Sequence, residues 1–295
     1  MFLDELRITM LRGNSRFLYR ILLLTSIICF INYFVSVPFK ERAMERAVHD
    51  RFFLKDLGLR NFSGAKDDDP DLVAYIKHHK LDSPATGPRN LSKPDVVDYS
   101  QYGQTMIFNK MLRNMTNGFF IEVGAHDGES LSNSLFFEKQ HNWTGLLIEA
   151  NPNLYAKLKT KGRKVYSINA CLSLVPRCTH VFFDVHQANA FLGRISKQKT
   201  STEIECFPLH SILLALERNF IDLFTLDIEG DELKVLKTIP WDKIQVRLLE
   251  VEVAHVPEGR KAVKDFMASV GYTFLRQWSI NYIFARHDLA LGLSL

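Results

Sequence analysis

An excess of positive over negative charge is nearly lacking over most of this chain. The 295 residues carry a formal net charge of +4. Residues 1–40 contribute +3 of it and leave only +1 for the rest, because their charged side chains are Asp4, Glu5, Arg7, Arg12, Arg16, Arg20 and Lys40. Binding to nucleic-acid phosphates needs clustered Lys and Arg side chains. We therefore expect no nucleic-acid partner.

Cysteine is scarce as well, with four in the whole sequence. Cys29 lies inside an apolar run, which leaves Cys171, Cys178 and Cys206. Three cysteines allow one disulfide and one free thiol. Cys206 could pair with Cys171 or with Cys178, and burial of all three as small apolar side chains is the alternative. The cysteine count decides neither the pairing nor the compartment.

Long uncharged stretches are rare, and Ile21–Val37 is the clearest, with 17 residues. A helix there would span roughly 25 Å, slightly less than the ~30 Å hydrocarbon core of a bilayer. The preceding Phe17, Leu18 and Tyr19 would extend it if Arg20 reached the interface. Because no small-x-small cleavage site follows, the run favours a signal anchor over a cleaved signal peptide. Arginines before the anchor predict a cytoplasmic N-terminus and a lumenal C-terminal bulk.

The chain therefore divides into five predicted segments. They are a cytoplasmic tail (1–20), a transmembrane signal anchor (21–37), a lumenal stem (38–98), a main domain (99–287) and a C-terminal tail (288–295). All Asn-x-Ser/Thr sites lie after the anchor, at Asn61, Asn90, Asn114 and Asn142. We expect a single-pass type II membrane protein of the endoplasmic reticulum or Golgi, with the endosome and plasma membrane as further destinations.

The main domain contains a strand, turn, helix and strand pattern between residues 118 and 152. The apolar run Phe119–Val123 predicts a buried strand, and Gly124 and Gly128 follow it. A second apolar run, Gly145–Ile148, ends at Glu149. Glycines permit tight turns beside a ligand, and an acid ending the second strand could accept the ribose hydroxyls of a nucleoside. The pattern favours a nucleoside-binding origin.

Further apolar runs alternate with helical patterns as far as residue 286. This alternation predicts a mostly parallel sheet covered by helices on both faces, with ligands at the carboxyl ends of its strands. The residues expected there are Gly124, Asp127, Glu149, Cys171, Asp227 and Glu229. Runs at 181–183 and 203–207 predict an added flap or edge pair. Two expected helices have predicted inward faces, formed by Met106, Ile107 and Met111 and by Leu131, Leu135 and Phe136.

The acidic triplet Asp67–Asp69 resembles the metal-binding triplet of Golgi glycosyltransferases, in which it ends a buried strand. Here the triplet precedes Pro70, a pattern typical of helix capping. Neighbouring His78 and His79 point in different directions and have no partner at a metal-ligand spacing. The sequence therefore predicts no metal site.

Three motifs carry a family resemblance. Glu122–Gly128, Glu149–Pro152 and Leu226–Gly230 together resemble the FkbM-type S-adenosylmethionine-dependent methyltransferases over roughly residues 99 to 287. The resemblance implies a Rossmann-like class I methyltransferase fold with a mostly parallel seven-stranded sheet, here preceded by one transmembrane helix. It also implies S-adenosylmethionine as the cofactor.

A wider pattern resembles the Star-like branch of arthropod proteins. It comprises the tail and anchor together with Ser132–Ser134, Trp143–Glu149, Cys206–Leu209 and Lys237–Trp241. Star-like proteins are type II membrane proteins that assist export of membrane-tethered growth-factor precursors. The implied partners are the membrane and such a protein cargo, and the implied process is transport from the endoplasmic reticulum to the Golgi or endosome.

The resemblance also implies roles for individual residues. Those expected to hold the cofactor are Gly124, Ala125 and Gly128 under its methionine and ribose, Glu122 and Asp127 fixing that loop, Glu149 on the ribose hydroxyls, and Asn151 beside the adenine. Asp227 and Glu229 would face the methyl group as catalytic residues. Capping of the next helix is the structural alternative for the Asp227–Gly230 segment.

Three functions compete at this stage. The first is a trafficking escort built on a methyltransferase fold, and the second is an active O-methyltransferase acting on a glycan or another secretory-pathway acceptor. A glycosyltransferase is the third. Methyl transfer often needs a base near the acceptor oxygen. Asp227, Glu229, His126 and His186 could serve, and no motif chooses among them.

Overall fold

The computed structural model describes residues 50–51, 53–183, 195–196 and 202–290. The predicted tail and anchor, and His186, lie outside these residues. Within the described part, no helix is both long enough and apolar enough to cross a membrane. The chain forms two compact units, residues 1–59 and 60–295. The first unit is described only near its end, where residues 53–57 are helical; everything below concerns the second unit.

The main sheet of this unit has eight strands in the order β1-β4-β3-β2-β9-β10-β12-β11. Four strands, β5 to β8, form a separate small sheet. The strands are β1 (Leu81–Asp82), β2 (Phe119–Val123), β3 (Thr144–Glu149), β4 (Tyr166–Asn169), β5 (Cys171–Leu172), β6 (Thr179–Phe183), β7 (Ile195–Ser196), β8 (Thr202–Phe207), β9 (Phe220–Leu226), β10 (Gln245–Glu252), β11 (Tyr272–Trp278) and β12 (Asn281–Arg286).

The described helices follow in chain order. They are α1 (Pro70–Tyr75), which continues as a π-helix (Ile76–Lys80), α2 (Gln104–Met111), α3 (Leu135–Gln140), α4 (Pro152–Thr160), α5 (Leu209–Ala215), α6 (Glu232–Thr238), α7 (Arg260–Ser269) and α8 (His287–Ala290).

The α/β methyltransferase-type fold predicted from the sequence is confirmed, with a sheet that is mixed. The inner strands β4, β3, β2, β9 and β10 all pair in parallel, whereas β12 runs antiparallel to both β10 and β11. Seven strands were expected, and an eighth, β1, pairs antiparallel with β4. It comes from the segment predicted as the stem, which from residue 60 onward belongs to the same compact unit.

The core lies around the central parallel strands. All five residues of β2 are buried, and Phe120, Phe224 and Phe284 are among the largest fully buried side chains. Such strands are covered by helices on both faces, which is why they read as nearly continuous apolar runs. Burying one phenylalanine side chain stabilises the fold by roughly 1.5–3 kcal/mol.

Two predicted helices differ from the structure. The helix that was expected to include Leu131 begins only at Leu135. Leu131 itself is exposed and has a φ of +62°. Residues 132–134 are held out of the helix by hydrogen bonds to the buried Glu122. The helix expected at 99–115 covers Gln104–Met111, and it turns Phe108 rather than Met106 into the core.

Two smaller predictions are confirmed. Asp69 caps α1, since its Oδ1 accepts hydrogen bonds from the backbone N–H groups of Asp71 at 2.9 Å and Leu72 at 3.1 Å. The predicted strand pair is β6 with β8, in the small sheet.

The small sheet contains the disulfide. Cys171 on β5 pairs with Cys206 on β8, opposite each other in the parallel register, and Cys178 is a buried free thiol. Of the alternatives left open by the sequence, the structure shows the Cys171–Cys206 bridge.

Candidate active site

A cavity opens at the carboxyl ends of the parallel strands. From β2 the chain passes to β3 and β4 on one side, while β9 and β10 lie on the other, so the strand order reverses between β2 and β9. Ligands of open α/β sheets bind at such a reversal. The cavity measures about 560 Å³, within the usual range for small-molecule sites.

The placement of three acids matches the sequence prediction. Glu122 lies on β2 and Glu149 ends the adjacent parallel strand β3. Asp227 directly follows β9, the other neighbour of β2. Because parallel strands bring their carboxyl ends to one edge, all three line the same cavity.

Gly124 is required by the backbone rather than by a ligand. Its φ is +83°, and a Cβ at this position would lie 2.1 Å from the carbonyl oxygen of Asp227. The N–H groups of Gly124 and Ala125 both donate to the Ile148 carbonyl, at 3.0 and 3.1 Å, which ties the turn to β3. The glycine thus lets the end of β9 approach the end of β2.

Gly128 has a similar role on the other side of the turn. With a φ of +77°, its missing Cβ would lie 2.8 Å from Cγ of Leu158 on α4. The Gly128 carbonyl accepts a hydrogen bond from Arg163, which also donates to Glu138 at 2.5 Å. Gly128 therefore packs the turn against the helix behind the cavity.

Glu122 fixes the loop that follows. Its carboxylate accepts hydrogen bonds from the hydroxyl of Ser132 at 2.9 Å, the N–H of Asn133 at 2.6 Å and the hydroxyl of Ser134. Burial raises the pKa of Glu122, and the charge of Arg163 partly opposes this shift.

Asp127 closes the turn itself. It accepts hydrogen bonds from the backbone N–H groups of Glu129 at 3.0 Å and Ser130 at 2.7 Å. Burial raises the pKa of Asp127, but hydrogen bonds from His126 and from these two N–H groups outweigh burial and hold it well below its usual range.

Glu149 and Asn151 form one end of the cavity. The two carboxylate oxygens of Glu149 accept hydrogen bonds from the N–H groups of His126 and Asn151, each at 2.7 Å. Burial raises the pKa of Glu149 to about 7, although these hydrogen bonds favour the ionised form. The side chain of Asn151 caps α4 by accepting from the N–H of Asn153 at 2.9 Å.

The opposite end of the cavity is formed by the loop after β9. Asp227 and Glu229 both line it, and Nδ1 of His255 lies 2.9 Å from Oε2 of Glu229. Burial, together with the neighbouring charges of Glu229 and Glu252, raises the pKa of Asp227 to about 8. Asp231 occupies the N-cap position of α6, but its side chain makes no capping hydrogen bond, so capping by the Asp227–Gly230 segment stays the alternative.

Three further acids surround this end and were not predicted. Glu232 accepts hydrogen bonds from the N–H groups of Ile228 at 2.9 Å and Gly230 at 3.0 Å, and its pKa is raised by burial to about 7. Glu250 accepts from the side-chain amide of Asn281 at 2.7 Å, and burial raises its pKa to about 8. Glu252 is almost completely buried.

The cavity is acidic. The described residues that line it include no Lys or Arg, and its charged lining residues are Glu122, Glu149, Asp227, Glu229 and Asp231, with His126 and His255. Such a wall favours a cationic ligand or a cationic part of one.

Six of the nine residues predicted for the site line this cavity. They are Glu122, Gly124, Glu149, Asn151, Asp227 and Glu229. The cavity lining does not include the other three, Ala125, Asp127 and Gly128. All three make hydrogen bonds, described above, that hold the turn in place. The ligand roles of all nine stay predictions.

His255 is the main residue that the sequence reasoning missed. It comes three residues after the end of β10, whereas Asp227 directly follows β9. Glu250 and Glu252 alternate with apolar residues at the end of that strand, so the strand-end rule that selected Asp227 could have selected them too.

The fold and cavity define a protein of the methyltransferase type, and a family comparison agrees. The sequence profile of the methyltransferase FkbM domain matches residues 122–274, just over half of the chain. The chain belongs to the family of proteins with this domain.

Comparison with individual proteins adds the following. No curated protein matches the sequence. Among solved structures, the methyltransferase FkbM of Methylobacillus flagellatus KT is 12% identical, with a TM-score of 0.38; the match covers 82% of this chain and 60% of that one. A precorrin-6y C5,15-methyltransferase from Geobacter metallireducens GS-15 is 11% identical, with a TM-score of 0.34 and coverage of 64% and 90%. TrmK of M. capricolum, in complex with S-adenosylhomocysteine, is 12% identical, with a TM-score of 0.31 and coverage of 61% and 66%.

Proposed function

We propose that this protein is an S-adenosylmethionine-dependent O-methyltransferase that acts on a glycan or another hydroxylated acceptor of the secretory pathway. The observation that carries the proposal is one cavity, at the strand-order reversal of an FkbM domain, with Glu149 at one end and the Glu229–His255 pair at the other.

The residues of the cavity fit this cofactor. Each oxygen of the Glu149 carboxylate holds one backbone N–H, and a carboxylate oxygen can accept a second hydrogen bond. Two vicinal ribose hydroxyls could occupy these positions. The acidic wall suits the positive charges of the sulfonium and the amino group, and the amides of Gln101, Gln104 and Asn133 offer donors for the carboxylate. When bound, S-adenosylmethionine supplies an electrophilic methyl group.

At the other end, His255 is our candidate base. Nδ1 of His255 lies 2.9 Å from Oε2 of Glu229, so Glu229 would orient the ring in the tautomer that leaves Nε2 free to take a proton. His255 would take the proton that the acceptor hydroxyl loses. This interpretation makes Glu229 a positioning residue and keeps Asp227 beside the reacting atoms.

Two features support a lumenal location. The four Asn-x-Ser/Thr asparagines, Asn61, Asn90, Asn114 and Asn142, are all exposed. The Cys171–Cys206 disulfide is a kind of bond that persists in oxidising compartments.

The proposal is tested by methyl transfer. The full-length chain would be incubated with S-adenosylmethionine carrying a labelled methyl group and with a panel of hydroxylated acceptors, glycans first. Label that remains on the acceptor under conditions that hydrolyse methyl esters would indicate an O-methyl ether. Binding of the cofactor without labelling of any acceptor, either in the panel or in a membrane extract, would contradict the proposed enzymatic activity.

A trafficking role is our second proposal. The Star-like order of basic tail, apolar run and domain favours it, together with motifs such as Cys206–Leu209, which join β8 to α5. In this case the chain would escort a membrane-tethered precursor out of the endoplasmic reticulum. Surface delivery of such a cargo that persists in Glu149→Gln and His255→Asn variants would favour the escort over the enzyme.

A further inference from the structure

Three carboxylates meet at the acceptor end of the cavity. Asp227 follows β9, Glu232 is the first residue of α6, and Glu252 is the last residue of β10. Each contributes one oxygen to a group in which all atoms lie within 4.8 Å of one another. Three like charges this close repel each other strongly unless protons or a cation compensate them.

Glu252 supplies a second, independent observation. Its side chain is 1% exposed, and its Oε1 accepts a hydrogen bond from the N–H of Ala254 at 2.5 Å. Among the described residues no hydrogen-bond donor reaches its Oε2, and Nδ1 of His255 remains 3.6 Å away. A buried carboxylate oxygen that accepts no hydrogen bond is costly.

We propose that Asp227, Glu232 and Glu252 bind one hard divalent cation, of the class that includes Ca²⁺, Mn²⁺ and Mg²⁺. All three side chains offer oxygen ligands, which such ions prefer. Around a Ca²⁺ ion with bonds of about 2.3–2.6 Å, two oxygens can be separated by at most roughly 5.2 Å. Three oxygens arranged evenly around such an ion are separated by at most about 4.5 Å, so the observed group needs at most a small contraction to hold Ca²⁺ and a larger one to hold Mg²⁺.

The surrounding backbone holds this group in place. Both oxygens of Glu232 accept from N–H groups of the loop 228–230, and Glu252 is tied to Ala254. The cation would meet a preformed set of ligands on two sides, while Asp227 provides the side that faces the cavity.

The role of the cation rests on the proposed function. Its remaining coordination positions would be directed toward the cavity, where they could take two neighbouring oxygens of the acceptor. This assigns the acceptor to compounds with vicinal hydroxyls or with a hydroxyl beside a carboxylate, such as saccharides. The cation would hold them near His255.

The test measures cation binding without any cofactor. The full-length chain would be stripped with chelator and titrated calorimetrically with Ca²⁺, Mg²⁺ and Mn²⁺, each up to about 10 mM, since weak calcium sites reach the millimolar range. We expect saturable binding of one ion and a rise in the melting temperature. No saturable binding of any of the three ions would overturn the proposal.

Two variants and a matched control locate the site. Glu252→Gln and Asp227→Asn each remove one ligand charge with little change of shape, and each should weaken binding by at least about 10-fold, the smallest effect typical of disturbed metal sites. Glu250→Gln changes another buried carboxyl group on the same strand without touching the ligand group, so its effect should be smaller. Asp227→Asn is the folding-safe variant, because Asp227 lies at the cavity surface. Undiminished binding in folded Asp227→Asn would refute the assignment.

Failure of this inference is distinguishable from failure of the proposed function. Methyl transfer that is unaffected by chelator, in a chain that binds no cation, would remove the cation and leave the methyltransferase standing. Cation binding by a chain that does not bind S-adenosylmethionine would leave the cation site standing and remove the methyltransferase.

Discussion

At the scale of single residues, the candidate site depends on carboxyl groups in different environments. Glu149 is held by two backbone N–H groups and is buried, with a pKa near 7, whereas hydrogen bonds keep the pKa of Asp127 low. Glu229 contacts a histidine instead. The same functional group can therefore bind hydroxyls, close a turn or orient a base, depending on its neighbours.

The pKa of Glu149 makes stability depend on pH. Its ordinary value of 4.5 rises to about 7 on folding, so between these values the folded chain binds more protons than the unfolded chain. Stability then falls as pH rises through this range. We expect the melting temperature to fall between pH 5 and pH 8, measured by scanning fluorimetry in chelator, and to fall less steeply in Glu149→Gln. An identical slope in the variant would contradict this pKa shift.

His255 should matter for the rate and not for cofactor binding. Loss of a general base costs roughly 10²–10⁴-fold in rate, so His255→Asn should lower kcat by that amount and leave the Kd for S-adenosylmethionine unchanged. His126→Asn is the matched control, because His126 also lines the cavity and Asn tolerates its φ of +52°. Full activity in the His255→Asn variant would contradict the assignment of His255 as the base. Loss of activity only in His126→Asn would contradict it too and would favour His126.

At the scale of elements, the site is held together where β2 and β9 end side by side. Gly124 has no Cβ, and this leaves room for the Asp227 carbonyl. The small sheet adds the opposite wall, because Cys171 and Leu172 of β5 also line the cavity. The disulfide to Cys206 fixes that wall.

Two glycines allow the contact at Gly124 to be measured. Gly124 and Gly103 have similar φ values, +83° and +75°, but a Cβ at Gly103 would meet only Oδ2 of Asp98, at 3.9 Å, an ordinary contact. Both Ala variants bear the cost of a positive φ, about 1–2 kcal/mol. Only Gly124→Ala also collides with backbone, so its loss of unfolding free energy should exceed that of Gly103→Ala by about 1–3 kcal/mol. Equal losses in urea titrations would refute the close approach of β2 and β9.

The elements also show what a sequence can reveal. The strands around the cavity were predictable, because buried parallel strands are apolar runs and their order along the chain sets which ends meet. The loop at 131–134 was not, because its conformation depends on Glu122, which is distant in sequence. His255 was missed for a similar reason: only the folded chain brings it to Glu229.

At the scale of the whole molecule, the proposal places the cavity in the secretory lumen. The anchor predicted at 21–37 lies outside the described residues, and the four exposed Asn-x-Ser/Thr sites are the structural features that bear on orientation. Glycosylated sites must face the lumen, so their modification reports the side on which the domain lies.

Glycosidase treatment tests this orientation. The chain expressed in secretory cells should lose apparent mass on treatment, and changing the four asparagines to Gln should remove that shift. The asparagines are exposed, but Asn114 and Asn142 have φ values of +56° and +54°, so Gln at these two positions should lower the melting temperature, and Gln at the other two should alter it little. A C-terminal epitope that antibodies reach in cells with only the plasma membrane permeabilised would place the domain in the cytosol.

The central claim is that the cavity holds S-adenosylmethionine with Glu149 on the ribose, and calorimetric titration of the full-length chain tests it most directly. Glu149→Gln replaces a charged hydrogen-bond acceptor with a neutral one. The binding free energy should weaken by about 1.5–3 kcal/mol, which raises the Kd roughly 10–100-fold. Glu129→Gln is the matched control, because Glu129 is also buried and accepts two backbone N–H groups, from Ser92 and Lys93, away from the cavity. We predict saturable binding of one molecule, weakened in Glu149→Gln and unchanged in Glu129→Gln. Absence of binding, or equal affinity in folded Glu149→Gln, would contradict the account.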